Sequence, residues 1–260
     1  MVKAFNDTIY KKSMITLRDG LWLGDEVVNM YMRMLMQRNR EAIASGRLVP
    51  KCGIMTSFFF TAISDSGKGY RYAGVKNFTR KAKIDLFGLD RFIFPVNVNK
   101  THWTVGVIDF RRQRLEHYDS LSGRGFEDLH GFEYMVRFVD DESKAKRGSG
   151  MDISHWPRVN VARRPMQRNG FDCGVFACMF ADRLSKGIPL DFSQSDITHC
   201  REVMTLAILR GERSPSEEER CIEDWGSPRE GFAWWSGDDD DYEPRYGGGQ
   251  LRPEPWANGF

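Results

Sequence analysis

The chain has 260 residues, 41% hydrophobic and 28% charged, a composition that suits a globular domain of ordinary size with its own core. Its five cysteines, at 52, 173, 178, 200 and 221, form no CxxC pair and no dense spacing, which speaks against a disulfide scaffold or structural zinc and for a reducing compartment. No apolar run reaches the ~18 residues that span a bilayer. The net charge of +2 hides an asymmetry: residues 211–260 carry 13 acidic and 5 basic side chains, leaving about +10 on the rest, so the body calls for an acidic partner. That partner could be a protein surface or nucleic acid, although no nucleic-acid motif accompanies the charge.

In chain order, Asp25 is placed to cap a helix in which Val27, Met30, Tyr31, Met34 and Leu35 recur at i, i+3, i+4 spacing, with Gly46 at its end. Met30, Met32, Met34 and Met36 are read as gap-filling core on this helix. Residues 92–98, 103–109 and 114–119 are rich in β-branched and aromatic side chains and predict strands. The last two are joined by a turn through Phe110-Arg111-Arg112-Gln113. Beyond Asp172 a helix places Val175, Phe176, Met179, Phe180 and Leu184 on one face. A last helix starts near Asp196, buries Ile197, Cys200, Met204, Ala207 and Ile208, and stops at Gly211. Helices, then strands, then helices predict an α+β fold over residues 1–211.

Residues 212–260 change character. Counted with Gly211 they hold eight glycines, a run of four aspartates (Asp238 to Asp241) and four of the seven tryptophans. Such a composition buries little apolar surface and predicts a disordered acidic tail. Docking on the basic body, or a short aromatic binding motif, are its candidate roles.

The chemistry concentrates in Pro165-Met-Gln-Arg-Asn-Gly-Phe-Asp-Cys-Gly174. Asn169-Gly170 signals a turn, and Asp172 as a helix cap puts Cys173 on the first turn, where unpaired N–H groups and the helix dipole favour a thiolate. Gly174 lacks a side chain that would keep a substrate backbone from the sulfur. A thiolate nucleophile needs a base, and the base an orienting acceptor. With the strand turn centred near residues 110 and 111, His102 lies opposite Asp119, close enough for a carboxylate to accept from an imidazole. An ordinary salt bridge at a sheet end fits the same geometry. Gln167 could supply an oxyanion-hole donor beside the Cys173 N–H. His117, on the same strand as Asp119, is the rival base; His130, His155 and His199 read as surface residues. Cys178 lies about 140° round the helix from Cys173 and, with Cys52 and Cys200, reads as buried filler.

These residues resemble the Ulp/SENP family of SUMO-specific cysteine proteases. The resemblance rests on Gln167-Arg-Asn-Gly-Phe-Asp-Cys-Gly-Val-Phe-Ala-Cys178, Thr101-His-Trp-Thr-Val-Gly-Val-Ile-Asp109 and Tyr118-Asp-Ser-Leu121. It extends to Ile15-Thr-Leu-Arg-Asp19, similar to the family's entry strand, Trp22-Leu-Gly-Asp25, Thr56-Ser-Phe-Phe-Phe60 and Pro189-Leu-Asp-Phe192, and so covers about residues 10–210. Gly24 stands where the family has Asn, and Phe171 where Tyr or Ser is commoner.

The resemblance implies a papain-like fold with the triad His102, Asp119, Cys173, assisted by Gln167, and no cofactor or metal. It implies hydrolysis after the terminal Gly-Gly of SUMO, in precursor maturation or in deconjugation from substrate lysines. Trp22 and Trp103 would form a channel admitting only glycine, Asp25 would hold the SUMO body, and Phe58 and Phe59 would pack nearby. SUMO and its conjugates are the expected partners of a monomer, in the nucleus or shared between nucleus and cytoplasm. Two alternatives remain at this point: the same chemistry on ubiquitin or the neddylation modifier, and a catalytically silent SUMO-binding adaptor. A nucleic-acid-binding protein is a third.

Overall fold

The computed structural model describes residues 2–4, 7–121 and 125–210, so the reading of residues 212–260 lies outside the described residues. A short antiparallel ribbon of β1 (Val2–Ala4) and β2 (Asp7–Ile9) precedes α1 (Lys11–Met14) and the long α2 (Asp25–Ala44). Next come β3 (Cys52–Ile54), α3 (Phe58–Ile63) and α4 (Phe78–Lys81). The predicted strands follow as β4 (Arg91–Val98), β5 (His102–Asp109) and β6 (Arg114–Tyr118). The chain continues through α5 (Gly125–Asp128), α6 (Gly131–Arg147), β7 (Arg158–Asn160), α7 (Cys173–Lys186) and α8 (Ile197–Arg210).

Strands β3 to β7 make one mixed sheet in sequence order. Its centre, β4-β5-β6, is antiparallel, and β3 and β7 add in parallel at the two edges. Alternate side chains of the centre face opposite layers. Phe92 and Phe94 meet Phe138 of α6 and Phe59 of α3, with ring centroids 5.6 and 5.1 Å apart. On the other face Tyr118 meets Phe180 of α7 at 5.7 Å. Helix α7 is enclosed by the sheet, α2 and α8, and every residue from Cys173 to Ser185 is buried. A helix apolar on nearly all sides belongs inside a fold. The result is the expected α+β class with a mixed central sheet.

Several expectations need correction. Asp25 does not cap α2: Gly24 holds the extended cap position, and Asp25 is the first helical residue, where its charge still suits the dipole. Met34 is only half-buried, while Met32 and Met36 join the core. Gly46 follows the helix in the left-handed region (φ 79°), and its N–H donates to the Ile43 carbonyl at 3.0 Å, as a C-terminal glycine does. Residues 15–17 form a 3-10 turn and not an entry strand. The strand hairpin turns between residues 111 and 112, because Asp109 pairs with Arg114 and Val105 with Tyr118. Asp109 fixes that turn: its carboxylate accepts from the Arg112 N–H at 2.8 Å and from Arg91 Nε at 3.1 Å.

Candidate active site

The hairpin register decides how the two strand residues meet. It continues to Thr104 opposite Asp119, so His102 and Asp119 are diagonal neighbours and not a directly opposed pair. A two-residue offset keeps both on one face of the ladder, and their long side chains close the gap. His102 Nε2 lies 2.6 Å from Asp119 Oδ1. The same carboxylate oxygen accepts from the Leu121 N–H at 2.8 Å, and the Asp119 carbonyl accepts from Arg164. Asp119 is therefore buried but well supplied with donors.

Cys173 is the other side chain that acts on the imidazole, and with Nε2 turned to Asp119 the ring has Nδ1 left for the sulfur. Burial alone would lower the imidazole's affinity for a proton. The hydrogen bonds and charges of Asp119 and Cys173 outweigh it and hold the group up at about 9. Below that value the ring carries the proton that a leaving amine needs.

Cys173 is buried and opens α7, so its N–H has no partner within the helix. Asp172 occupies the cap position, but its side chain makes no capping bond. Its carboxylate instead accepts from Asn169 Nδ2 (2.7 Å), Gln194 Nε2 (2.8 Å) and Arg201 Nη2 (2.6 Å). Asn169 Oδ1 in turn accepts from the Phe171 and Asp172 N–H groups at 3.2 and 3.1 Å, which closes the turn before the nucleophile. Gly174 also has a packing role. A Cβ there would lie 2.8 Å from the Leu23 Cβ, so the glycine lets Leu23 pack against α7.

Gln167 is buried in the same turn. Its Oε1 accepts from the Ser120 hydroxyl at 2.6 Å and its backbone N–H donates to the Ser120 carbonyl at 3.0 Å. One N–H of its amide goes to the Asn169 carbonyl, leaving the other for a ligand. Ser120 follows Asp119, so one short segment orients both the base and this amide.

The rival, His117, is engaged elsewhere. Its ring stacks on Phe126 (centroids 4.4 Å, planes 7° apart), Nδ1 donates to Asn160 Oδ1 at 3.0 Å, and burial pushes it down to about 4. His130 and His199 sit beside Glu133 and Glu202 at 3.7 and 3.6 Å on exposed helix faces, and His155 is exposed. Cys52, Cys178 and Cys200 are buried free thiols, each pushed upward by desolvation.

Trp103 is buried and its indole N–H donates to the Leu23 carbonyl at 3.4 Å, which ties the Trp22-Leu23 segment to β5. Trp22 is 52% exposed, an unusual setting for an indole. Asp25 is exposed three residues on, and Phe58 is 51% exposed. Phe59 is a correction: at 2% exposure it sits among Phe78, Phe92, Phe94 and Phe138 in the core and reaches no ligand. Arg201 was not among the candidates. A charge on the apolar face of α8, beside Ile197, Cys200 and Met204, was the signal for it.

Comparison with known proteins bears on this site. The profile of the Ulp1 protease family, C-terminal catalytic domain, matches residues 21–210. Ubiquitin-like-specific protease 1A of Arabidopsis thaliana is 35% identical over 210 residues, covering 80% of this chain and 40% of that protein. Sentrin-specific protease 2 of Homo sapiens is 32% identical over 208 residues, 79% of this chain and 33% of that protein. The chain thus spans well under half the length of both relatives. Among solved structures, the C-terminal Ulp1 protease domain in complex with Smt3, the yeast ortholog of SUMO, superposes with a TM-score of 0.66 at 27% identity, covering 80% of this chain and 86% of that one.

Proposed function

This chain belongs to the Ulp1 protease family, and on that premise we propose that it is a thiol protease hydrolysing the bond after the C-terminal Gly-Gly of SUMO. The 2.6 Å pair of Asp119 and His102, with Cys173 acting on the same imidazole from the head of α7, carries the reading. The likeness to a protease domain seen bound to Smt3 supports SUMO as the substrate.

The Cys173 thiolate attacks the glycine carbonyl carbon and forms a C–S bond. The Cys173 N–H and the remaining Gln167 N–H receive the oxyanion. As the C–N bond breaks, His102 gives its proton to the departing lysine amine or peptide nitrogen. Water then adds to the thioester, His102 takes its proton, and the glycine leaves as a carboxylate, restoring the thiolate. Asp119 holds the ring in the orientation that presents Nδ1 to sulfur. Trp22 and Trp103 flank the extended tail, where flat indoles leave no room for a Cβ. Asp25 and Phe58, both exposed, contact the body of the modifier. The reading carries with it a monomer resident in the nucleus or in both nucleus and cytoplasm, which a fluorescent fusion and sedimentation would check.

The test mixes the chain with SUMO, ubiquitin and the neddylation modifier, each ending in a thiol-reactive group, beside Cys173→Ala. The SUMO probe alone should label, and only when Cys173 is present. Labelling by another modifier would keep the mechanism and replace the substrate. No labelling by any of them would sink the reading.

A further inference from the structure

Arg201 is among the largest fully buried side chains of the described residues, although it carries a charge. All five of its N–H groups have acceptors. Nε and Nη2 donate to Asp172 Oδ1 at 3.2 and 2.6 Å. Nη1 donates to the carbonyls of Thr16 and Arg18, both at 3.1 Å, and Nη2 also to the carbonyl of Leu21 at 2.8 Å. One side chain from α8 thus grips the residue before the nucleophile and, three times over, the segment that ends in Trp22.

The start of that segment is also held by the Thr16 hydroxyl, which donates to the Ser13 carbonyl and accepts from the Gly24 N–H, and by the buried Leu17. The part from Arg18 onward is held mainly by Arg201. It contains Gly20 in the left-handed region (φ 78°), and Arg18 to Trp22 are all exposed. Beyond it, Leu23 is held by the Trp103 indole and by its packing on Gly174. A guanidinium thus joins the residue before Cys173 to the residue before the exposed Trp22. A lysine could not reproduce it, because an ammonium has three donors and no planar fork.

We propose that Arg201 is a positioning residue that sets the height of the glycine channel, and with it the selection for glycine at the scissile bond. The inference rests on the protease reading above. Through its contacts alone it predicts that weakening the clamp frees residues 18–22 before any substrate is present. With substrate, a misplacement of about 1 Å in such a channel is enough for up to a hundredfold loss of rate.

The experiment uses the full chain with Arg201→Lys. Three quantities are read: tryptic cleavage after Arg18, kcat and KM on a SUMO precursor, and the ratio of rates for Gly-Gly against Gly-Ala ends. Faster nicking, a kcat lowered roughly tenfold or more with KM little changed, and a smaller Gly-Gly preference are expected. A purely structural role would lower activity only with the folded fraction and leave the ratio alone, and that result would overturn the proposal. Should Arg201→Lys not fold, Asp172→Asn takes its place, since it keeps the three carbonyl bonds and removes the charged anchor. An unchanged ratio and unchanged nicking in that variant count equally against the clamp. If the wild type cleaves no SUMO precursor, the protease reading falls, and the nicking rate still decides whether Arg201 holds the segment.

Discussion

At the scale of single residues, His102 shows how a charge is kept where burial opposes it. Its folded-state value of about 9 lies above the ordinary 6.5, so the pairing with Asp119 and Cys173 stabilises the fold fully below about 6.5. That contribution is lost as pH rises through about 9. Asp119→Asn removes the charged acceptor, and kcat should fall by as much as about 10⁴ as the ring loses its orientation. In urea titrations the stability gap between wild type and this variant should be widest near pH 6 and closed near pH 10. A gap that did not change with pH would mean that the Asp119 carboxylate acts on the fold through its bond to the Leu121 N–H and not through the imidazole. The proximity of His102 and Asp119 was legible in the sequence because imidazole and carboxylate flank one hairpin. The partners of Arg201 and Ser120 were not, even though Arg201 stood out as a charge on an apolar face, because those partners are mostly backbone carbonyls or an amide that any sequence could supply.

Among the elements, length helped legibility without deciding it. The three central strands and the two C-terminal helices emerged from periodicity within a residue or two of their bounds. The edge strands β3 and β7 are three residues each, too short for any alternation to register. Helix α6 did carry its signal, with Phe132, Met135, Phe138 and Val139 on one face and basic residues in its last turn before Gly148, yet it was not assigned. The hairpin centre missed by one residue, since nothing in Phe110-Arg111-Arg112-Gln113 marks which residues turn. The structure answers with Gln113 in the left-handed region and Arg112 bound to Asp109. The approach of α7 to the Trp22 segment was equally hidden. Gly174→Ala should force Leu23 away from the nucleophile's helix and lower kcat/KM on a SUMO precursor by at least about tenfold, with less than about 2 kcal/mol lost in denaturant. Activity at the wild-type level would show that Leu23 can yield at no expense to the channel.

At the scale of the whole molecule, the sheet and the buried helix are fastened by ionic groups as well as by packing. Arg91 donates to Asp109 across β4 and β5, and its Nη1 reaches the Leu184 carbonyl near the end of α7 at 2.8 Å. Asp109→Ala leaves that guanidinium without its counter-charge, and the loss expected in equilibrium unfolding is about 3 kcal/mol. Less than about 1 kcal/mol would mean that water reaches Arg91 and replaces the carboxylate. Arg201 also ties the fold to the order of synthesis. Triad and channel residues all precede α8, yet the guanidinium that joins them arrives with it. A polypeptide still being translated would own every reacting group and lack the brace that aligns them. For the protease proposed above, newborn chains would then stay mute until α8 is released and docks.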